Sequence, residues 1–282
     1  MIFNFLSIFC SVCVSVLLKV AKRYEVNINQ AIAFNYAIAA LLCAYFFTPD
    51  FSRVKEAPMG IYLLLGLLLP AIFVIMARSV KHTGIVITDI AQRLSLLIPL
   101  LAAFLLFKEE FSFIKLGIIA LGLFAVICAI PWQKNEQKGS NSWLFPLGVF
   151  LGFGLIDVLF KQIAVFKAVP FTTSLLLVFL FALGLSMLVL FYFLVFKGMR
   201  LSVKNTGFGL VLGVFNFGNI IFYLKAHQAL NNHPSMVFTS MNIGVIAVGS
   251  LVGLLVFKEK LSKLNYLGIA LALVAILLIY LL

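Results

Sequence analysis

Residues 170–196 read PFTTSLLLVFLFALGLSMLVLFYFLVF, a run without one charged side chain. An α-helix rises about 1.5 Å per residue, so roughly 20 residues cross about 30 Å of hydrocarbon. Backbone polar groups in lipid must bond within their own segment, and a spanning run of this kind is therefore a helix. Working outward, comparable runs stand at 2–18, 29–48, 59–77, 84–107, 113–131, 143–160, 206–224, 235–257 and 264–282. The expectation is an all-α membrane protein with about ten transmembrane helices. Alternating ten-residue segments of the outer-membrane barrel type are absent.

Composition agrees. Apolar residues make up 64% and charged residues 11% of the 282 residues, and the mean hydropathy is +1.18. A soluble domain of this size carries about 25% charge. Too little polar surface is present to cover a core in water. The net charge of +12 would suggest nucleic acid in a soluble protein. Here the basic residues are spread through short loops, so no nucleic-acid partner is expected. The first run has its basic residues, Lys19, Lys22 and Arg23, after the apolar stretch, the pattern of a retained helix and not of a cleaved leader. Cys10, Cys13, Cys43 and Cys128 all fall inside spans, where Cys is an ordinary small buried residue. No disulfide framework, metal-ligand spacing or cofactor motif is visible.

Lys and Arg in short loops mark the cytoplasmic side. The loops after the odd-numbered spans hold thirteen of them and the opposite loops seven. The bias predicts both termini outside a cell membrane, here a bacterial inner membrane.

The chain repeats itself. Phe107-Lys-Glu-Glu-Phe-Ser112 matches Phe257-Lys-Glu-Lys-Leu-Ser262, and each precedes a helix led by glycine, at Gly117 and Gly268. Leu17-Leu-Lys19 is echoed by Leu159-Phe-Lys161. The halves are 1–131 and 143–282, joined by a polar linker at 132–142. Five spans per half is an odd number, so the second half enters from the opposite side and the repeats are inverted. Inverted repeats are a recurrent transporter design, with a midplane site and alternating access.

Several stretches resemble a known family. They are Ala77-Arg-Ser-Val-Lys-His-Thr-Gly-Ile-Val-Ile-Thr88, Ile98-Pro-Leu-Leu101, Phe107-Lys-Glu109 and Gly117, with His227-Gln-Ala-Leu230, Val256-Phe-Lys-Glu259 and Gly268 in the second half. Together they look like the EamA repeat, the five-helix unit of the drug/metabolite transporter superfamily. The resemblance implies a ten-helix carrier of small metabolites such as amino acids, sugars or nucleotide sugars. It also implies cytoplasmic termini, against the charge bias. The second half departs from the first in lacking a counterpart to Pro99; Val248 or Gly249 stands near that place.

Ionisable and amide side chains at bilayer depth usually face a cavity. The fourth span carries Asp89, Gln92 and Arg93 on one face; Asp89 and Arg93 can pair, either lining a cavity or bracing helices. Pro99 should free the carbonyl of Ser95 and kink the helix, a candidate hinge. The ninth span offers Thr239, Ser240 and Asn242, as cavity wall or as groups bonding back to their own helix. The eighth carries Asn216, Asn219 and Tyr223, with Lys225 beyond, as site residues or as interhelical glue and interfacial anchors. Asp157 in the sixth span precedes Lys161 by one turn, and an ion pair between them is the alternative to a free carboxylate. Asn35 is a weaker candidate. His82, His227 and His233 are expected in loops at span ends, and Glu109 and Glu259 beside neighbouring Lys residues. Gly148/Gly152, Gly209/Gly213 and Gly249/Gly253 have the spacing that lets helices touch, within the chain or in a homodimer; the protein is expected to be a monomer or homodimer.

No nucleotide-binding loop is present, and the zinc, Ser/His and paired-Asp motifs of intramembrane enzymes are missing. The expected function is therefore that of a secondary transporter, not an enzyme. It would move a small polar or zwitterionic metabolite across the bilayer, with a proton or ion as a possible coupling partner. The alternative is a lipid or polyprenyl-phosphate translocase.

Overall fold

Asn27 opens the second helix through its own side chain. Its Oδ1 accepts from the backbone N–H of Asn29 and Gln30 at 3.1 and 3.3 Å, satisfying two of the donors that a helix start leaves open. The computed structural model describes residues 2–83, 85–107, 112–129, 143–230, 232–256 and 262–281. Its helices are α1 (Ile2–Arg23), α2 (Ile28–Phe47), α3 (Met59–Thr83), α4 (Ile85–Leu94), α5 (Leu97–Leu105), α6 (Phe113–Ala129), α7 (Leu144–Val165), α8 (Phe171–Phe196), α9 (Val203–Ala229), α10 (Pro234–Leu255) and α11 (Lys263–Leu281). One 3-10 turn, Val54–Glu56, interrupts the connection from α2 to α3. No strand occurs among the described residues. α8 ends at Gly198, φ 62°, and Met199 N–H reaches back to the Phe193 carbonyl at 3.1 Å, the left-handed cap that glycine permits.

Among the described residues, six helical stretches are long and apolar enough to cross a membrane: Ile28–Phe47, Met59–Ser79, Leu144–Val165, Phe171–Phe196, Val203–Ala229 and Pro234–Leu255. Shorter apolar stretches at Ile2–Leu18, Ala91–Leu105, Leu116–Ala125 and Lys263–Ala275 occupy the places of the other expected spans. Large apolar side chains such as Phe9, Leu105, Leu188 and Leu277 point outward and are exposed, as a surface bathed in lipid allows.

The run expected as one helix over 84–107 is two. Pro99 has no N–H to give to the Ser95 carbonyl, and Ile98 N–H takes its place at 3.0 Å. The chain therefore turns at Ser95–Leu96, one turn ahead of the proline. α10 has no such proline in its interior and runs unbroken.

Side-chain contacts fix the directions of neighbouring helices. Ser7 bonds Asn219 while Lys204 bonds the Tyr24 carbonyl, so α1 runs against α9. Asp157 meets Tyr223 and Lys161 meets His227, so α7 runs along α9. α1 and α7 therefore point in opposite directions. Gly209 and Gly213 lie against Ala31 and Asn35, making α2 and α9 parallel. Tyr62 bonds Ser174 at 2.6 Å and Gly66 lies against Ala182, making α3 and α8 parallel. α3 packs on α7 and α8, while α9 packs on α1 and α2.

Most of this packing crosses between the halves. One central cluster takes Ile8, Tyr36, Leu65, Leu100, Ile163, Phe179, Leu224 and Phe238 from eight different helices. α6 and α11 pack together and against α10 through Ala125, Ile243, Ala272 and Ala275. The faces of the bundle are tied by polar groups. Fully buried Gln30 donates to the Ser202 carbonyl and Thr206 Oγ1 at 2.9 and 2.8 Å, and accepts from Ser202 N–H and Asn205 Nδ2 at 3.2 Å each. At the other face, Thr173 Oγ1 exchanges hydrogen bonds with the Asp50 backbone at 3.1 Å.

Two of the three small-residue pairs close helix contacts within the chain. Gly148 and Gly152 meet Ile75 and Ile72, and Gly209 and Gly213 meet α2 backbone. Gly249 does not: a Cβ there would find open space. The linker at 132–142 and the repeated motif at Lys108–Glu110 and Phe257–Lys260 lie outside the described residues.

Candidate functional site

A cavity of about 220 Å³ lies among α1, α2, α3, α4, α7, α9 and α10. It sits within about two turns of the middle of α1, α3, α7 and α9. α1 lines it from Ser11 to Leu18 and α3 from Leu69 to Met76, while α7 supplies Phe153–Phe160 and α9 Asn216–Tyr223.

Most of the sequence candidates converge here. Gln92, Arg93, Asp157, Asn216, Asn219, Tyr223 and Asn242 all line the cavity. Spacings of three and four on α9 do put Asn216, Asn219 and Tyr223 on one face. Asn219 Oδ1 accepts from Ser7 Oγ at 2.9 Å, which ties the wall to α1. Asn242 Nδ2 bonds back to the Phe238 carbonyl at 3.1 Å, yet the residue still borders the cavity. Pro99 is buried on α5, four residues beyond the lining residue Ser95. The Asp89 side chain lies outside the described residues.

The structure departs from several of these readings. Asp157 does not pair with Lys161. Its Oδ1 accepts from Tyr223 OH at 3.0 Å, whereas Lys161 is buried and its Nζ reaches the His227 carbonyl at 3.4 Å and lies 5.9 Å from the Phe107 ring. α9, packed in parallel, brings better-placed partners to both groups than they are to each other. Tyr223 is for the same reason a buried wall residue and not an interfacial anchor. His227 is not in a loop. It lies inside α9, fully buried, with ring centroids 4.7 Å from both Tyr223 and Phe238. His82 is likewise helical, at the end of α3, stacked on Phe145 at 4.8 Å. Thr239 is fully buried and faces Gly122 of α6 rather than the cavity. Ser240 bonds back to the Met236 carbonyl and receives Asn4 Nδ2 from α1.

Sequence reasoning missed Tyr36, which lines the cavity from α2. Its only signal is adjacency to Asn35 in an otherwise apolar run. It also missed the apolar walls, Phe73, Met76, Phe153 and Phe160. Among the described residues the cavity thus combines one cation, one carboxylate, several amides and aromatic flanks. Charges at this depth are costly unless they face a wet space or partners. Among the described residues no group of three His, Cys, Asp or Glu side chains is arranged to hold a metal ion.

Residues 133–281 match the model of the EamA-like transporter family. The chain belongs to the EamA-like transporter family. This is a family of membrane transporters of the drug/metabolite type, and the apolar helices make the chain a multi-pass membrane protein. An uncharacterized protein of Haemophilus influenzae is 43% identical over 283 residues, covering 97% of this chain and 96% of the relative. A solved crystal structure superposes with a TM-score of 0.76 at 12% identity, covering 99% of this chain and 96% of the other. That likeness establishes the fold alone for this EamA-family chain.

Proposed function

We propose that this protein is a secondary transporter that moves a small polar or zwitterionic metabolite by alternating access. The observation that carries the reading is the mid-depth cavity that brings Arg93 and Asp157 together with Gln92, Asn216, Asn219 and Asn242. The two charges suit a cargo that bears both signs. Asp89 and the hinge at Pro99 belong to the same proposal, Asp89 as the partner or competitor of Arg93.

The ten-span, inverted-repeat architecture is part of the reading, with repeats at 1–131 and 143–282. Its support is the exchange of packing partners between halves: α1 with α9 answers α7 with α3, and α2 with α9 answers α8 with α3. The opposite directions of α1 and α7 agree. The charge bias supports termini outside, on the face that carries the α2–α3 connection.

The two faces of the cavity differ. Toward the α2–α3 face, α7 and α9 are joined by Asp157–Tyr223, by Lys161 to the His227 carbonyl, and by Gln228 Nε2 to the Ala164 carbonyl at 3.3 Å. Toward the α1–α2 face, α1 and α3 both line the cavity, and among the described residues they do not pack along one another. The protein is thus held with its α7–α9 side closed. Transport requires α7 and α9 to part while α1 and α3 approach, a rocking of the repeats.

Uptake of a labelled pool of small metabolites into proteoliposomes tests this. Arg93→Ala, Asp89→Asn and Asp157→Asn should each reduce flux sharply. Wild-type flux in all three would sink the site. A lipid or polyprenyl-phosphate translocase is the second reading. A cavity of about 300 Å³ favours it, walled by Pro70, Val74, Leu185 and Val189 with Arg78 and Asn29 alongside. Movement of a fluorescent headgroup probe between leaflets would support that reading instead.

A further inference from the structure

Asn35, Tyr36, Asn216, Thr239 and His227 each hold a buried polar atom with no hydrogen-bond partner among the described residues. Tyr36 and Asn216 are the ones among these that also line the central cavity. Tyr36 is 0% and Asn216 7% exposed. At mid-membrane depth an unpaired donor calls for a partner, because no lipid atom can supply one.

The two side chains reach the cavity from different helices at one level. α2 and α9 run parallel, and Gly213 of α9 lies against the backbone of Asn35. Tyr36 and Asn216 are therefore within about one turn of each other along the bundle. The orphan atom of Asn216 is Nδ2, which only donates, and the Tyr36 hydroxyl can donate as well. Arg93 borders the same space and adds positive charge. Donors without acceptors, next to a cation, make a place for an anionic oxygen.

Resting on the transporter reading above, we propose that Tyr36 and Asn216 form the subsite for an anionic oxygen of the cargo, the end opposite to Asp157. Asp157 is held at Tyr223, seven residues beyond Asn216 on α9, or about 10 Å along the axis. That rise is a backbone figure and the two hydrogen bonds shorten it further, so the cargo's charged groups stand several ångströms apart and not on neighbouring atoms. A zwitterion with its charges on neighbouring atoms reaches one subsite at a time. One with three or four intervening carbons reaches both.

The ω-amino acid series tests this, because the charged groups stay constant while their spacing grows. Thermal stabilisation of the detergent-purified protein is read with glycine, β-alanine, 4-aminobutyrate and 5-aminovalerate, and with butylamine as the control lacking the anion. We expect stabilisation to rise to 4-aminobutyrate or 5-aminovalerate and to fall with butylamine. Tyr36→Phe and Asn216→Ala should each weaken apparent affinity for the best member about tenfold, a loss typical of one hydrogen bond to a charged group. Where Asn216→Ala does not fold, Tyr36→Phe alone decides, since it removes one oxygen without opening a cavity. Unchanged affinity in Tyr36→Phe, equal binding of butylamine, or stabilisation by none of the series overturns the subsite. Those outcomes leave the transporter reading intact; that reading falls separately, when Arg93→Ala, Asp89→Asn and Asp157→Asn all retain wild-type flux.

Discussion

Tyr223 donates its hydroxyl to Asp157 across 3.0 Å, and in doing so fastens α9 to α7 at the floor of the cavity. Tyr223→Phe removes the donor and leaves a buried carboxylate oxygen without it. A bond of this kind is worth about 1 kcal/mol or more, roughly fivefold in the balance between two conformations. In a cysteine-free background, Ser15→Cys on the cavity wall should react with a charged thiol reagent chiefly from the α1–α2 face. Adding Tyr223→Phe should raise labelling from the α2–α3 face by about that factor. Unchanged sidedness would mean that the bond does not bias the gate.

Gly213→Ala should be harmful, because its Cβ would meet the Asn35 carbonyl oxygen and the Ile38 side chain. Backbone does not step aside as a rotamer does, and overpacking costs about 1–3 kcal/mol. Gly184→Ala on α8 meets nothing within 4 Å and should be neutral or gain up to about 1 kcal/mol in helix propensity. Melting curves of the two variants in one detergent compare them directly; equal values would contradict the close approach of α2 and α9.

Pro99→Ala restores an N–H that can serve the Ser95 carbonyl. α4 and α5 should then fuse into one straighter helix, with a gain of about 1–3 kcal/mol. If the break is a hinge, the more stable variant transports more slowly. A rise in melting temperature with wild-type flux would assign the break to packing alone.

Asp50 stands outside the membrane, after α2. The backbone N–H and side chain of Ser52, and more weakly Arg53, hold its carboxyl below the usual carboxylate range; the Ser52 N–H lies 2.9 Å from Oδ1. A group whose acidity rises on folding stabilises the fold above its unfolded value and loses that contribution as pH falls through its folded value. The α2–α3 connection should therefore keep its protease resistance down to about pH 4 and lose it below. Asp50→Asn should flatten that acid dependence.

The apolar runs made the helices legible, and Pro99 made the break in the fourth span legible, because a missing N–H is a local fact. The clustering of Asn216, Asn219 and Tyr223 was legible for a similar reason: helical period alone puts them on one face. Partnerships across helices were not. Asp157 and Lys161 stand one turn apart, and spacing says only that they can meet. The arrival of Tyr223 and His227 on a parallel neighbour decides that they do not. Thr239 failed likewise, since its face of α10 is claimed by Gly122 of α6. Tyr36 left little trace beyond its adjacency to Asn35, because an aromatic residue in an apolar run looks the same whether it faces lipid, core or cavity.

The exchange of partners between α1–α2–α3 and α7–α8–α9 bears on how the chain is made. Among the described residues, α2 finds its closest neighbours in α8 and α9, and α3 in α7 and α8. A ribosome delivers the first half earlier, so its inward faces, Gln30 and Tyr62 among them, must wait in the bilayer for the second. Assembly is in effect the dimerisation of two unfinished pieces joined by a tether. The same dependence means that the pieces, synthesised as separate polypeptides in one cell, have each other as their natural partner.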